Sequence, residues 1–252
     1  MKHILLRIVS LAILVSFPAT DRAADDEARA IIVKAIQAHG GEQTLTKLKA
    51  GQSRTKGKIT IPNFGEVDFT QETAYLLPDK LRESMNLTVG GQKVYVLTIL
   101  DGDKLSIDAN DKAVEVTDNI KKAFEDVKYL MKVARLVTLL KDKSYELSAA
   151  GEIKVEDKPA VGVRVASKGN KDISLYFDKQ TGLLAKLEHR TIDSQTGVEI
   201  GEERIILEYQ KPSEAPALPK KILIRHDGKT YIEAEVIEGK LLETLDDGLF
   251  RK

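Results

Sequence analysis

The sequence predicts an α+β fold that is mostly β: an extended antiparallel sheet with one helix before it and another inserted near its middle. Three observations predict it. Apolar and polar residues alternate with a period of two through 51–109 and again through 145–238, the pattern of strands with one buried face. Short turn signals such as Pro78-Asp79, Gly90-Gly91 and Asp101-Gly102-Asp103 separate the runs, and connections this short join antiparallel neighbours. Helical spacing of apolar residues is confined to two places, 25–49 and 118–142.

At the start, Lys2 and Arg7 flank the beginning of an uncharged run, Ile8 to Phe17, that ends at Pro18 and small residues. This is a secretory signal pattern, so residues 1–24 are expected to be a signal peptide cut between Thr20 and Asp25. The run is far shorter than the roughly 20 apolar residues of a membrane-spanning helix. Residues 25–252 are expected to form a single domain, since no compositional break or repeat divides them. The first helix places Ala28, Ile31, Ile32, Ala35, Ile36 and Ala38 near one face and stops at Gly40, with acids at its start as the helix dipole favours. A short second helix follows from Glu42 to Lys49, with Leu45 and Leu48 inward.

Strands are expected near 51–61, 65–77, 80–89, 92–100 and 103–109. In the third of these, Leu81, Glu83, Met85, Leu87 and Val89 alternate with Arg82, Ser84, Asn86 and Thr88, which separates the two faces. The mid-chain helix then runs over "DNIKKAFEDVKYLMKVARLVTLLKD", with Asp118 as its N-cap. Its apolar stripe widens in the second half through Tyr129, Val133, Leu136 and Leu140, so the helix is buried on two sides or borders an apolar space. Strands resume near 145–156, 160–168, 172–178, 183–193, 198–211, 219–227 and 230–238, and "KPSEAPALPK" is a connecting loop.

Composition removes several functions. There is no cysteine, which excludes disulfides, thiolate metal sites, a cysteine nucleophile and the lipidated cysteine of a bacterial lipoprotein. Without residues 1–24 the chain carries 36 basic against 38 acidic side chains, so nucleic acid is not an expected partner. No Gly-x-Ser-x-Gly elbow is present, and "HDGKT" has Leu223 where a phosphate loop requires glycine. His39, His189 and His226 lack the spacing of a helical metal site; His39, beside a helix C-terminus, is expected to interact with the dipole. The acids of "LDGDKLSIDANDKAVE" do not match a calcium loop. No metal, no cofactor and no catalytic residue are expected. What remains is shape: about 11 to 12 strands and little helix, so the sheet either closes into a filled barrel or curls around the helices and leaves an apolar cavity.

The order of parts resembles the LolA-like periplasmic lipoprotein carriers and their outer-membrane lipoprotein-sorting relatives. The similar pieces are "LLPDKLRESM", "LDGDKLSID", "LYFDKQTGLLAKLE" and the terminal "DDGLFRK", and the likeness in order runs through essentially the whole chain after the signal. The resemblance implies an open antiparallel half-barrel of about 11 strands, with an N-terminal helix and a mid-chain lid helix. It implies a soluble, non-catalytic periplasmic chaperone for lipid or lipoprotein acyl chains, moving cargo toward the outer membrane between membrane-bound donor and acceptor proteins. A monomer is expected. The sequence departs from that family at Ser106, where a large aromatic is usual, and the family's lid arginine has two candidates, Arg54 and Arg82.

On that reading the apolar trough is lined by Phe69, Tyr75, Leu77, Met85, Leu87, Val94, Val96, Leu175 and Phe177, and the lid presents Phe124, Leu130, Met131 and Leu136. Alternation selects these residues, and ordinary core packing is the competing reading of each. A register slip of one residue would exchange the two faces. A filled-barrel binding module of the envelope and an exported hydrolase are the rival functions.

Overall fold

In the structure, a computed structural model that describes residues 20–210 and 216–252, the alternating runs pair into one 13-stranded antiparallel sheet. The expected signal segment falls almost entirely outside the described residues, as do the first five residues of the Pro-rich loop. The first strands are β1 (Ala50–Ile61), β2 (Gly65–Leu76), β3 (Lys80–Val89), β4 (Gln92–Asp101), β5 (Lys104–Ala109) and β6 (Lys112–Ala113). The second group is β7 (Tyr145–Val155), β8 (Lys158–Ser167), β9 (Ile173–Asp178), β10 (Leu184–Ile192), β11 (Glu199–Tyr209), β12 (Pro219–His226) and β13 (Lys229–Leu242). Each group is a meander, and β1 pairs with β13 to join them, giving the order β6-β5-β4-β3-β2-β1-β13-β12-β11-β10-β9-β8-β7. The edges β6 and β7 do not pair, so the sheet is open. The strand beyond those read from the sequence is β6, two residues long and too short to show alternation.

Among the described residues four α-helices accompany the sheet: α1 (Thr20–Ala38), α2 (Glu42–Lys47), α3 (Asp118–Val133) and α4 (Val137–Lys141). The mid-chain helix differs from the sequence reading in two ways. Its N-cap is Thr117, whose hydroxyl accepts the Ile120 N–H at 3.4 Å, while Asp118 is the first helical residue. It also breaks at Ala134–Leu136, where Leu136 adopts φ 54°. No glycine or proline marks the break. The kink lets Leu136, Val137 and Leu139 all enter the core, which compensates for a conformation unfavourable to leucine.

The core lies where α1, α3 and α4 cover β7–β10. Ala28, Ile32 and Ala35 of α1 meet Val133 and Leu139 from the helical insertion and Val163, Val165, Ile173, Leu175, Phe177 and Leu187 from the sheet. His39 ties α1 to β10: its Nδ1–H donates to the Ala35 carbonyl at 2.7 Å and its Nε2 accepts the Leu184 N–H at 3.4 Å. Burial lowers its pKa, so His39 acts as a neutral hydrogen-bonding ring rather than as a charge on the helix dipole.

Two devices bend the sheet. Bulges leave Ile237 and Leu207 unopposed and exposed, and an inserted residue coils the strand that carries it. At Gly57, inside β1, a Cβ would lie 2.1 Å from the Glu233 carbonyl oxygen; only glycine lets β13 approach so closely. The outer face is charged, with Arg54 paired to Glu72 and Glu238, Lys56 to Glu235 and Lys58 to Glu66. On this side the C-terminal 3-10 helix, Asp247–Phe250, buries Phe250 against β3 and β4.

Candidate functional site

Cross-strand register determines which side chains share the face that carries the helices. Leu187 packs in the helix-covered core and stands opposite Arg204; pairing then leads through Ile224 and Ile232 to Ile59 and Val67. Directly paired residues point to the same side, so this inner face continues as odd-numbered positions on β1–β3 and even-numbered positions on β4. Its curvature is concave: Arg204 on β11 acts electrostatically on Glu83 of β3, although four strands separate them in the sheet order.

The inner face of β1–β4 is built in tiers. One runs Gly51, Tyr75, Leu81, Leu100, with the tyrosine ring lying over the glycine. Two further tiers hold Gln71, Met85, Val96 and then Phe69, Leu87, Val94. Between the tyrosine tier and the Gln71 tier lies a polar row, Ser53, Thr73, Glu83, Thr98. The sequence-selected residues Phe69, Tyr75, Met85, Leu87, Val94 and Val96 therefore stand together on one face, and Leu77 lies just past the end of β2. Leu175, Phe177, Leu130 and Leu136 belong to the helix-covered core, with Leu175 fully buried. Phe124 and Met131 are half-buried on α3. Both lid-arginine candidates lie on the outer face, Arg54 in its ion pairs and Arg82 donating to the Leu249 carbonyl, as does Ser106, paired with Ile99.

The two halves of the inner face differ in cover. Under α1, α3 and α4 the side chains are almost completely removed from solvent. On the other half Phe69, Leu81 and Leu100 are buried, but Tyr75, Met85, Leu87, Val94, Val96, Ile222, Ile224 and Ile232 are only half-buried. A hollow of about 520 Å³ at this end of β2–β4 is lined by Phe69, Leu87 and Val94 together with the opposite-facing Thr70, Asn86 and Tyr95.

Away from the strand ends, charge enters this face on β1–β4 and β11–β13 at Glu83, Glu202 and Arg204. Arg204 Nε donates to Glu202 Oε1 at 2.6 Å, and the Nε2–H groups of His189 and His226 donate to the same carboxylate at 3.3 and 3.0 Å. Tyr231 stacks on His226. Burial works against ionisation of Glu202, but the Arg204 charge and these hydrogen bonds outweigh it and hold the carboxyl far below its ordinary range. Glu83 is the opposite case. It accepts from Gln71 Nε2 at 2.9 Å and forms no ion pair among the described residues. Burial raises its pKa, and Arg204 and the hydrogen bonds from Gln71 and Thr73 offset this only in part. These polar residues escaped the sequence reading. Glu83 carried one signal, a lone acid on the apolar side of an alternating run.

Two solved structures share the architecture. A DUF1329 family protein from Desulfovibrio piger is similar with a TM-score of 0.55 at 10% identity, over 90% of this chain and 97% of that one. A LolA superfamily protein from Nitrosomonas europaea gives a TM-score of 0.53 at 10% identity, over 89% and 97%. No protein-family model and no curated protein matches the chain. At such identities the likeness defines the fold, and the fold is the LolA-like open half-barrel. Among the described residues no helix is long and apolar enough to cross a membrane, and no group of three or more histidine or acidic side chains is placed to hold a metal.

Proposed function

We propose that the chain is an exported, non-catalytic carrier that takes up lipid or lipoprotein acyl chains against the inner face of β1–β4 and β11–β13, for transport across the periplasm toward the outer membrane. One observation carries the reading. One inner face, apolar except at the Glu202–Arg204 cluster and the Ser53–Thr98 row, is closely packed under the helices on one half and left half-covered on the other. Chains laid along Met85, Leu87, Val94 and Val96 would complete that burial at about 0.8 kcal/mol per methylene, an attraction indifferent to the identity of the cargo. The LolA-like fold supports the reading as architecture.

Native mass spectrometry of the chain purified from the periplasm, followed by lipid extraction, tests it. Bound acyl species are expected, lost when Met85 and Val96 are both replaced by Glu while circular dichroism reports an intact sheet. A clean apo mass that also takes up neither fatty acid nor lipopeptide would overturn the carrier and favour a filled-barrel binding module of the envelope.

A further inference from the structure

The polar row across the trough calls for a chemical reason, because a purely greasy carrier has none for it. Ser53, Thr73, Glu83 and Thr98 are in direct register on four adjacent strands, between the Tyr75–Leu81–Leu100 tier on one side and the Thr55–Gln71–Met85–Val96 tier on the other. Isolated polar groups on such a wall cost free energy unless they meet partners. The Glu83 carboxylate has only neutral donors, Gln71 Nε2 at 2.9 Å and the Thr73 hydroxyl, and Gln71 Nε2 is shared with Thr73 Oγ1 at 3.2 Å. Arg204, the cation that acts on Glu83, is bound to Glu202. Glu83, Glu202 and Arg204 thus set two carboxylates against one guanidinium on this wall.

We propose that this row is the seat of a primary ammonium group on an acyl-bearing amphiphile, with Glu83 as counter-charge and the Thr73 and Thr98 hydroxyls as further acceptors. The inference rests on the reading of the inner face as an acyl trough and adds the chemistry of the head. An ammonium offers three donors and no acceptor, which suits a carboxylate flanked by hydroxyl oxygens. A carboxylate or phosphate head would meet two like charges and an arginine already engaged. Once the ammonium is seated, the hydrocarbon extends over Met85 and Val96 toward Leu87 and Val94. The shared chemistry has two sources, the headgroup amine of a phospholipid and the free α-amino group of a lipopeptide.

The test compares dodecylamine, dodecanol and dodecanoate by isothermal titration calorimetry near neutral pH, on the wild-type chain and on Glu83→Gln. Dodecylammonium is expected to bind at least about tenfold more tightly than dodecanoate. In Glu83→Gln the ratio should collapse to within about twofold, with dodecanol unchanged. Equal binding of the two charged heads, or a preference that survives Glu83→Gln, overturns the ammonium seat and leaves the trough standing. If none of the three binds, the acyl trough itself falls, and the ammonium seat with it. Lyso-phosphatidylethanolamine and a diacylated lipopeptide, each against its N-acetylated form, then separate the two sources.

Discussion

Lys128 on α3 reaches the Asp103 carboxylate in the β4–β5 turn, Nζ to Oδ1 at 2.8 Å, and so fastens the mid-chain helix to the far wall of the half-barrel. On the near wall Thr191 of β10 donates to Asp126 of the same helix at 2.9 Å. The helix therefore spans the open side of the sheet between two polar anchors. Burial pulls the Lys128 ammonium down, but its hydrogen bonds to Asp103 and Glu125 more than reverse that, and its pKa is raised.

Asp103 is fully open to water, and an exposed partner contributes little to global stability. Asp103→Ala should therefore leave the urea midpoint nearly unchanged. Amide exchange across Asp118–Val133 should quicken nonetheless, because one end of the span is released while the core-facing residues Leu130 and Val133 still hold it. Hydrogen-exchange mass spectrometry checks this. Unchanged exchange in α3 would show that core packing alone positions the helix.

The contrast between the two halves of the inner face makes a stability prediction. Leu175 is completely buried in the helix-covered core, so Leu175→Ala should cost about 2–5 kcal/mol. Met85 stands on the same face but is only half-buried, and Met85→Ala should cost roughly 1 kcal/mol or less. Urea unfolding of the two variants reads the difference directly. Equal large losses would mean that the second half is packed as tightly as the first.

Much of this was legible because period-two alternation survives folding unchanged. The run Leu81–Val89 separates its faces as alternation predicts, and Leu175 and Phe177 share one face in the helix-covered core. Local sequence does not record how far apart paired strands lie along the chain, so Arg204 and Glu83 could not be placed across one trough. Nor does it record which half of a face the helices cover, and that is why Leu175 and Met85 looked alike. The break at Leu136 was invisible for a related reason. It is imposed by the core that receives Val137 and Leu139, against local preference.

Gly57 offers a test of how the sheet closes on itself. A methyl group there would collide with the Glu233 carbonyl oxygen and approach the Ala234 Cα to 2.9 Å, and both are backbone atoms that cannot rotate away. Gly57→Ala should cost about 1–3 kcal/mol through overpacking, well beyond the small gain an alanine brings to an ordinary strand. Thermal unfolding followed by circular dichroism provides the measurement. A neutral or stabilising effect would show that β1 and β13 have room to separate.

The two inner-face carboxylates should give the protein opposite pH slopes. Both start from the ordinary glutamate value of 4.5 in the unfolded chain. Glu83 is raised on folding, so above 4.5 the native state holds a proton that the unfolded state has lost, and its contribution to stability falls as pH climbs through its folded pKa. Glu202 is depressed on folding. Its contribution is present in full above 4.5 and is lost as pH falls below that value, where the unfolded chain binds the proton first. Urea unfolding from about pH 3 to pH 8 on wild type, Glu83→Gln and Glu202→Gln separates the two. Glu83→Gln should gain on wild type as pH rises past 4.5, whereas the deficit of Glu202→Gln should shrink as pH drops below it. A Glu83→Gln curve parallel to wild type across the whole range would mean that Arg204 neutralises Glu83, and that the trough carries no uncompensated charge.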